Sequence, residues 1–508
     1  MIPHAPIRFG FVGESSTNFM IPFIKLRSMR RERRNEREEI REFARELSFC
    51  QDEAVLEACL EMTERLKEDI DMEPSFLDPE VDRGQIADDE YNALLSVYET
   101  PRMEVEEGPL DGMTVAIKDN IAVEGLPMTA GLADHSYVPS YDAVLVERLL
   151  AAGASITGKA NMDALALGPE GVWSERGQVR NSINDDIVPG GSSSGSAVAV
   201  ATGLVDCAIG SDAGGSIRKP AAYNDIVGMK PSRGAVPIHG KISCATTLGT
   251  VGPMAETVRE VAAALEAISG PTRRDPDAAR ADLGPLVEDL DEPLSCKIGI
   301  PDSFMDCADP PVREVMEATI DAINYNTDCK TRAVSVDNSV SRLPSYLSGP
   351  EFAWLLKQGT VDHGGSIASD PAWYATFESL RKQGLNEHVT LRKLPGAFLD
   401  RQTNGLSYVT AKRKMFEFQQ SLDDVFDDVD LLLTPTVPAL PPALEEDIEN
   451  LPRNLSINCQ PFNLAGTPSV AIPAGRAEGL PVSAQVTAPL FEDSLALRGA
   501  RLLKRLHE

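Results

Sequence analysis

Apolar positions recur along this chain with two periods, and the two take turns. Ile40, Phe43, Ala44 and Leu47 fall at helical spacing beside a row of arginines (Arg33, Arg37, Arg41, Arg45) and a row of glutamates (Glu38, Glu42, Glu46). This predicts an amphipathic helix from Arg30 and a second over Glu53–Lys67. The mixed rows fit either a basic docking helix or the solvated face of an ordinary one. Helical period returns over Asp142–Ala154, stopped by Gly153, and over Glu256–Ile268, Val312–Ile323 and Glu492–Leu506. Between these lie short apolar runs at Met113–Asp119, Ser155–Gly158, Cys207–Ile209, Cys296–Ile300, Asp430–Thr434 and Leu480–Thr487, which read as strands. Strands alternating with helices imply an α/β fold, a largely parallel sheet covered on both faces. Pro74–Arg102 reads as loop with a short helix near Asp88–Leu95, and Arg273–Glu292 as an acidic connector. The expected organisation is a weakly patterned extension over 1–28 (or sequence upstream of a start at Met29), an N-terminal helical cap over 29–105 and a single α/β domain over 106–508.

Charge changes the picture more than composition does. At 42% hydrophobic and 25% charged, the 508 residues are ordinary, but the formal net charge is −30, with 78 Asp and Glu against 48 Lys and Arg. That balance argues against a nucleic-acid or anionic-membrane surface. It suits a protein working in concentrated salt, where self-repulsion is screened. Eight scattered cysteines without a C-x-x-C pair read as reduced, mostly buried thiols. Six scattered histidines form no ligand pair, so no metal site is expected. The N-terminal residues contain no apolar run long enough for a secretory or spanning segment, and cytoplasmic residence is the expectation.

The chemistry concentrates in Val188–Arg218, VPGGSSSGSAVAVATGLVDCAIGSDAGGSIR. Two Gly/Ser clusters flank an apolar helix-like run, Ala197–Leu204, and a short strand. Glycine serves where backbone approaches a ligand closely, so such clusters can turn N–H groups and hydroxyls toward one. Gly191–Gly195 matches G-x-S-x-G, but the residues before it, Asn184–Pro189, are loop-like, whereas a nucleophile elbow needs a strand there. A phosphate cradle lacks its G-x-x-x-x-G-K-[ST] or G-x-G-x-x-G spacing. Lys118 alone would read as a surface lysine or an ion pair with Asp119. At the end of the apolar run Val115–Ile117, burial would instead disfavour its charged form and make it a base.

Gly190–Ser196, Gly210–Arg218 and Ala116–Asn120, in that spacing, resemble the amidase signature family, and the likeness extends more weakly from about Leu110 to the C-terminus. Phe462–Pro468 and Gly479–Pro481 resemble two further segments. The resemblance implies a mixed, mostly parallel sheet flanked by helices and a Ser-Ser-Lys set: Ser216 as nucleophile, Ser192 as bridging serine behind a cis peptide bond, Lys118 as base. It further implies an oxyanion site at the N–H groups of Ala213, Gly214, Gly215 and Ser216, supported from behind by Asp212, Arg218 and Ser193. Serine stands at position 194, where the family commonly has glycine. The expected reaction is hydrolysis of a small-molecule carboxylic amide without cofactor or metal, by a chain that does not bind nucleic acid or membrane and could form a homodimer. The alternative is the glutaminase A subunit of an aspartyl/glutamyl-tRNA amidotransferase. That subunit is expected to carry an acidic residue where this chain has Ser456, and a Tyr-rich stretch near Asn404–Tyr408.

The acidic excess predicts that thermal stability rises with salt well past the Debye-screening range. Raising KCl from about 0.1 M to about 2 M should increase the unfolding midpoint measured by differential scanning fluorimetry. A midpoint unchanged across that range removes the high-salt reading.

Overall fold

The computed structural model describes residues 37–45, 52–69, 84–278, 283–358, 381–382, 384–444 and 454–507. The chain divides into two compact units, Met1–Glu73 and Pro74–Glu508. The first contains a helix over 37–45 and a second, α1 (Glu53–Asp69). Arg41 Nε donates to Glu53 Oε1 at 2.9 Å, and Arg37 pairs with Glu57. These two arginines of the row therefore face a partner helix, which favours an ordinary charged helix face over a docking surface. Arg33, Glu46, Leu47 and the extension over 1–28 lie outside the described residues.

The second unit is built on one sheet. Its strands are β1 (Gln85–Ile86), β2 (Leu94–Arg102), β3 (Thr114–Lys118), β4 (Ser155–Ala160), β5 (Cys207–Asp212), β6 (Val227–Lys230), β7 (Thr250–Ala255), β8 (Lys297–Pro301), β9 (Lys330–Val334), β10 (Leu431–Pro435), β11 (Ser469–Ala477) and β12 (Leu480–Thr487). Among the described residues these form 12 strands in the order β1-β2-β4-β3-β5-β7-β6-β11-β12-β10-β8-β9. The fold is mixed α/β, with helices on the sheet. The expectation of mostly parallel pairing needs correction. Only β3–β4, β3–β5, β8–β10 and β8–β9 run parallel, and the remaining neighbours are antiparallel. One cause is legible in β11–β12, where Ala477 pairs with Leu480 across Glu478-Gly479. Both of these turn residues have positive φ, 53° and 81°, the two-residue hairpin that closes antiparallel strands.

A second correction concerns Asp88–Leu95, where a helix is expected. Asp89 instead accepts N–H bonds from Tyr91, Ala93 and Leu94, the local turn chemistry of aspartate. Beyond that turn Leu94, Ser96 and Tyr98 are buried alternately along β2, the period of a strand.

Two parallel strands, β3 and β5, position everything that follows. Val115 and Ile117 point into one apolar layer, with α2 (Val144–Ala151), and Ala116 into another. Into that second layer packs α3 (Ser194–Ala201), apolar and buried over Ser194–Val200. On the first side lies α4 (Val258–Ile268), whose start is set by a capping box between Thr257 and Glu260. Ligands in α/β sheets sit beyond the carboxyl ends of parallel strands. Here those ends are Lys118 and Asp212, next to the N-terminus of α3. Two later helices, α5 (Pro344–Gln358) and α6 (Glu387–Gln402), meet where Gly349 and Gly396 bring their backbones together. A Cβ on Gly396 would lie 2.3 Å from Ser345 O, and one on Gly349 2.8 Å from Ala397 N. No helix among the described residues is long and apolar enough to cross a membrane.

Candidate active site

The last residue of β3 is fully buried. Lys118 Nζ lies 2.8 Å from Ser192 Oγ and 2.7 Å from Ser193 Oγ. Burial pushes its ammonium down to about 7. The strand interior explains this: Val115, Ala116 and Ile117 are all inaccessible to water. Ser192 follows a cis peptide bond from Gly191. Ser193 Oγ, besides meeting the lysine, donates to Ser211 O at 3.2 Å. Ser193, expected only behind the site, is thus a direct partner of Lys118.

Ser216 is half-buried and lines a cavity of about 350 Å³ together with Ser192, Ala213 and Gly214. The turn that presents Ser216 is held from beneath. Asp212 Oδ1 accepts the Gly215 N–H at 2.7 Å, and Oδ2 accepts the Ile217 N–H at 3.1 Å. The Gly215 N–H, expected to face an oxyanion, is therefore committed to Asp212. The N–H groups of Ala213, Gly214 and Ser216 have no acceptor among the described residues. Gly215 has φ +104°, and a Cβ there would lie 2.6 Å from Cys459 Cβ, so a side chain is excluded.

Behind the turn, Arg218 and Asp212 form a fully buried fork-to-fork pair, with Nε donating to Oδ2 and Nη2 to Oδ1, each at 3.0 Å. The other bonds go from Nη2 to Asn463 Oδ1, and from Nη1 to Cys459 O and to Gln485 Oε1. All five guanidinium N–H groups are thereby satisfied. Burial alone would raise the Asp212 carboxyl, but the charge and hydrogen bonds of Arg218 outweigh it and hold the group well below the usual carboxylate range. Asn463 belongs to the late Phe462–Pro468 segment, and its Nδ2 donates to Asp212 Oδ1 at 2.9 Å.

Several site residues carry no signal in the sequence reading. Asp163 is buried with Oδ1 accepting the Trp173 N–H at 2.7 Å and Oδ2 without a partner among the described residues, and burial pushes it up to about 7. A Cβ on Gly191 would lie 2.1 Å from that free oxygen. Lys219, Lys241 and Lys393 also line the cavity. Lys219 follows Arg218 directly, and Lys393 lies within the α6 segment that walls the cavity. Neither stands in a motif that singles it out. Among the described residues no cluster of His, Cys, Asp and Glu could hold a metal ion.

A model of the amidase family matches residues 85–497. The chain belongs to that family. Among the relatives of this amidase-family chain is the A subunit of the glutamyl-tRNA(Gln) amidotransferase of Halobacterium salinarum, 37% identical over 423 residues, covering 80% of this chain and 99% of that one. The crystal structure of the corresponding A subunit from Thermotoga maritima superposes with a TM-score of 0.66 at 29% identity, covering 80% of this chain and 86% of that one. A peptide amidase in complex with chymostatin gives 0.63 at 27% identity, covering 78% and 84%. These relatives correct one expectation. The expected partners are a small-molecule amide and no nucleic acid, yet two of these relatives are named as A subunits of a glutamyl-tRNA(Gln) amidotransferase. Whole-chain charge bears on one chain's own surface, not on an assembly in which a relative is one subunit.

The Asp212–Arg218 pair supplies a stability prediction. Arg218→Met leaves a buried carboxylate uncompensated and should lower unfolding free energy by about 3–5 kcal/mol, read from urea titrations. A loss below about 1 kcal/mol would mean that Asn463 and the backbone N–H groups hold Asp212 unaided.

Proposed function

We propose that this amidase-family chain hydrolyses a carboxamide through Ser216, and that it does so as the ammonia-releasing subunit of a tRNA-dependent amidotransferase. The observation that carries the chemistry is a fully buried lysine whose Nζ touches Ser192 and Ser193 and whose ammonium is pushed down to about 7. Near neutral pH much of it is unprotonated. Ser193 accepts one lysine N–H and donates its own hydroxyl hydrogen to Ser211 O, which leaves the nitrogen lone pair for Ser192. Ser216 attacks the amide carbon, its proton moves through Ser192 to Lys118, and the carbonyl oxygen becomes an oxyanion facing the N–H groups of Ala213, Gly214 and Ser216. Ser192 then protonates the departing nitrogen, which leaves as ammonia. Water attacks the resulting ester, the carboxylic acid departs, and Ser216 recovers its proton. The amidotransferase assignment is supported by the 37% identity to an amidotransferase A subunit of which almost the whole length is matched.

A stand-alone amidase is the second reading, favoured by Ser456. This hydroxyl, where the amidotransferase chain is expected to carry a carboxylate for the glutamine ammonium group, accepts a bond from Lys219 Nζ at 2.7 Å. A hydroxyl gives an ammonium group a bond about half as strong as a carboxylate does.

Ser216→Ala should abolish turnover while the protein still folds, and hydroxylamine should divert the wild-type acyl-enzyme to a hydroxamate. The base form of Lys118 is the active one, so kcat/KM should rise with pH through about 7 and then level. A flat profile from about pH 5.5 to 8.5 contradicts a lysine base. Affinity purification from the native host should recover the chain with other amidotransferase subunits, and charged tRNA should stimulate its glutaminase activity. Recovery as a lone protein that hydrolyses simple amides without tRNA would establish the second reading.

A further inference from the structure

Three ammonium groups converge on the cavity beside Ser216, and hydrolysis as derived above uses none of them. Lys219, Lys241 and Lys393 are buried and line the same space as Ser192 and Ser216. Among the described residues Lys219 Nζ bonds only a neutral hydroxyl, Ser456 Oγ. Lys241 and Lys393 have no side-chain hydrogen bond or ion pair among the described residues. Arg392, the fourth cation on the lining, is occupied otherwise, lying 3.5 Å from Glu170 Oε2 and 3.1 Å from His388 Nε2. Among the described residues, the one acidic side chain of the lining is Asp212, which is committed to Arg218.

The backbone makes room for these lysines. A Cβ on Gly249 would lie 2.9 Å from Lys241 Nζ, and one on Gly215 3.2 Å from Lys219 Cε. Lys393 comes from the α6 segment. Glu170 and Asp212 act on Lys219, Asp275 and Asp212 on Lys241, and Glu351 on Lys393, but none pairs with them directly, so their burial stays costly and the cost is relieved when an anion enters. Burial lowers each of the three to about 8, which leaves them mostly protonated at neutral pH. A cavity of about 350 Å³ is at the small end of the range for small-molecule sites, roughly 300–1,000 Å³.

We infer that the cavity takes a carboxamide whose acyl part carries a carboxylate and no ammonium group, the monoamide of a dicarboxylic acid being the simplest such compound. The inference rests on the amide-hydrolysis reading in its stand-alone setting, since the amidotransferase setting takes glutamine, and glutamine as the preferred substrate would return the chain to that setting. The carboxylate lies among Lys219, Lys241 and Lys393 while the amide carbon faces Ser216 Oγ. Water adds across the C–N bond, giving a dicarboxylate and ammonia. Glutamine meets the carboxylate requirement but brings an ammonium group into a lining whose one carboxylate is already paired.

The test compares glutaramate, glutamine and pentanamide as substrates of the full chain, and measures binding of glutarate by calorimetry. Glutaramate should give the highest kcat/KM and pentanamide the lowest. Lys241→Met and Lys393→Met, checked for folding by circular dichroism, should each weaken glutarate binding and shrink the glutaramate-to-pentanamide ratio by about tenfold or more, the size of a lost charged hydrogen bond. Pentanamide or glutamine used as well as glutaramate overturns the inference without any variant, as does glutarate binding that neither substitution changes. Lysine-dependent glutarate binding with no hydrolysis of any of the three amides would uphold the anion site and overturn amide hydrolysis instead.

Discussion

Everything at this site depends on keeping water away from one nitrogen. A lysine at a strand end in water stays protonated and cannot accept a proton at neutral pH. Lys118 escapes that fate because β3 is the sheet's interior, flanked by β4 and β5, and because α3 lays its serine-rich start across the strand end. The apolar packing of Ala116, Ala197, Val198 and Ala208 is therefore part of the proposed chemistry: it lowers the proton affinity of the group that would take the proton. Loosening α3 would admit water and restore the ammonium before it displaced any side chain named in the reaction.

The same burial forces the arrangement on the other side of the cavity. A turn rich in glycine, such as Ala213–Ser216, has little side-chain packing of its own to fix it. Asp212 fixes it by accepting two N–H groups, those of Gly215 and Ile217, and an acceptor in so dry a place needs a full counter-charge. Arg218 supplies the charge, and Asn463, Gln485 and the Cys459 carbonyl complete its hydrogen bonds. Residues more than two hundred positions apart in the chain thus converge on a single carboxylate.

That convergence separates what the sequence discloses from what it hides. Lys118, Ser192 and Ser216 are singled out by the likeness of their segments to amidase signature motifs, and the strands β3, β4, β5, β8, β10 and β12 show as short apolar runs. Antiparallel β6 and β7 do not, because their four and six residues include Gly228, Gly252 and Pro253, which break any apolar period. The β2 strand is hidden because Asp88–Leu95 reads as a short helix, and the alternation that follows is short. Asp163, Lys241 and Lys393 carry no local signal at all. A buried charge is recognisable only once the elements around it are in place, since nothing in its neighbours along the chain says that it is buried.

The contact between Gly349 and Gly396 has a consequence for how such a protein can diversify. Two helices whose backbones touch are held by main-chain proximity at that point, not by matched side chains, so positions a turn away can change without loosening the crossing. Leu391 and Lys393 on the cavity wall are such positions, whereas Lys118 ends β3 and Ser216 sits in the turn after β5. Part of the cavity's selectivity is thereby carried on a length of polypeptide separate from Lys118, Ser192 and Ser216. A lineage can exchange one substrate for another by editing the wall while the reacting atoms stay where they are.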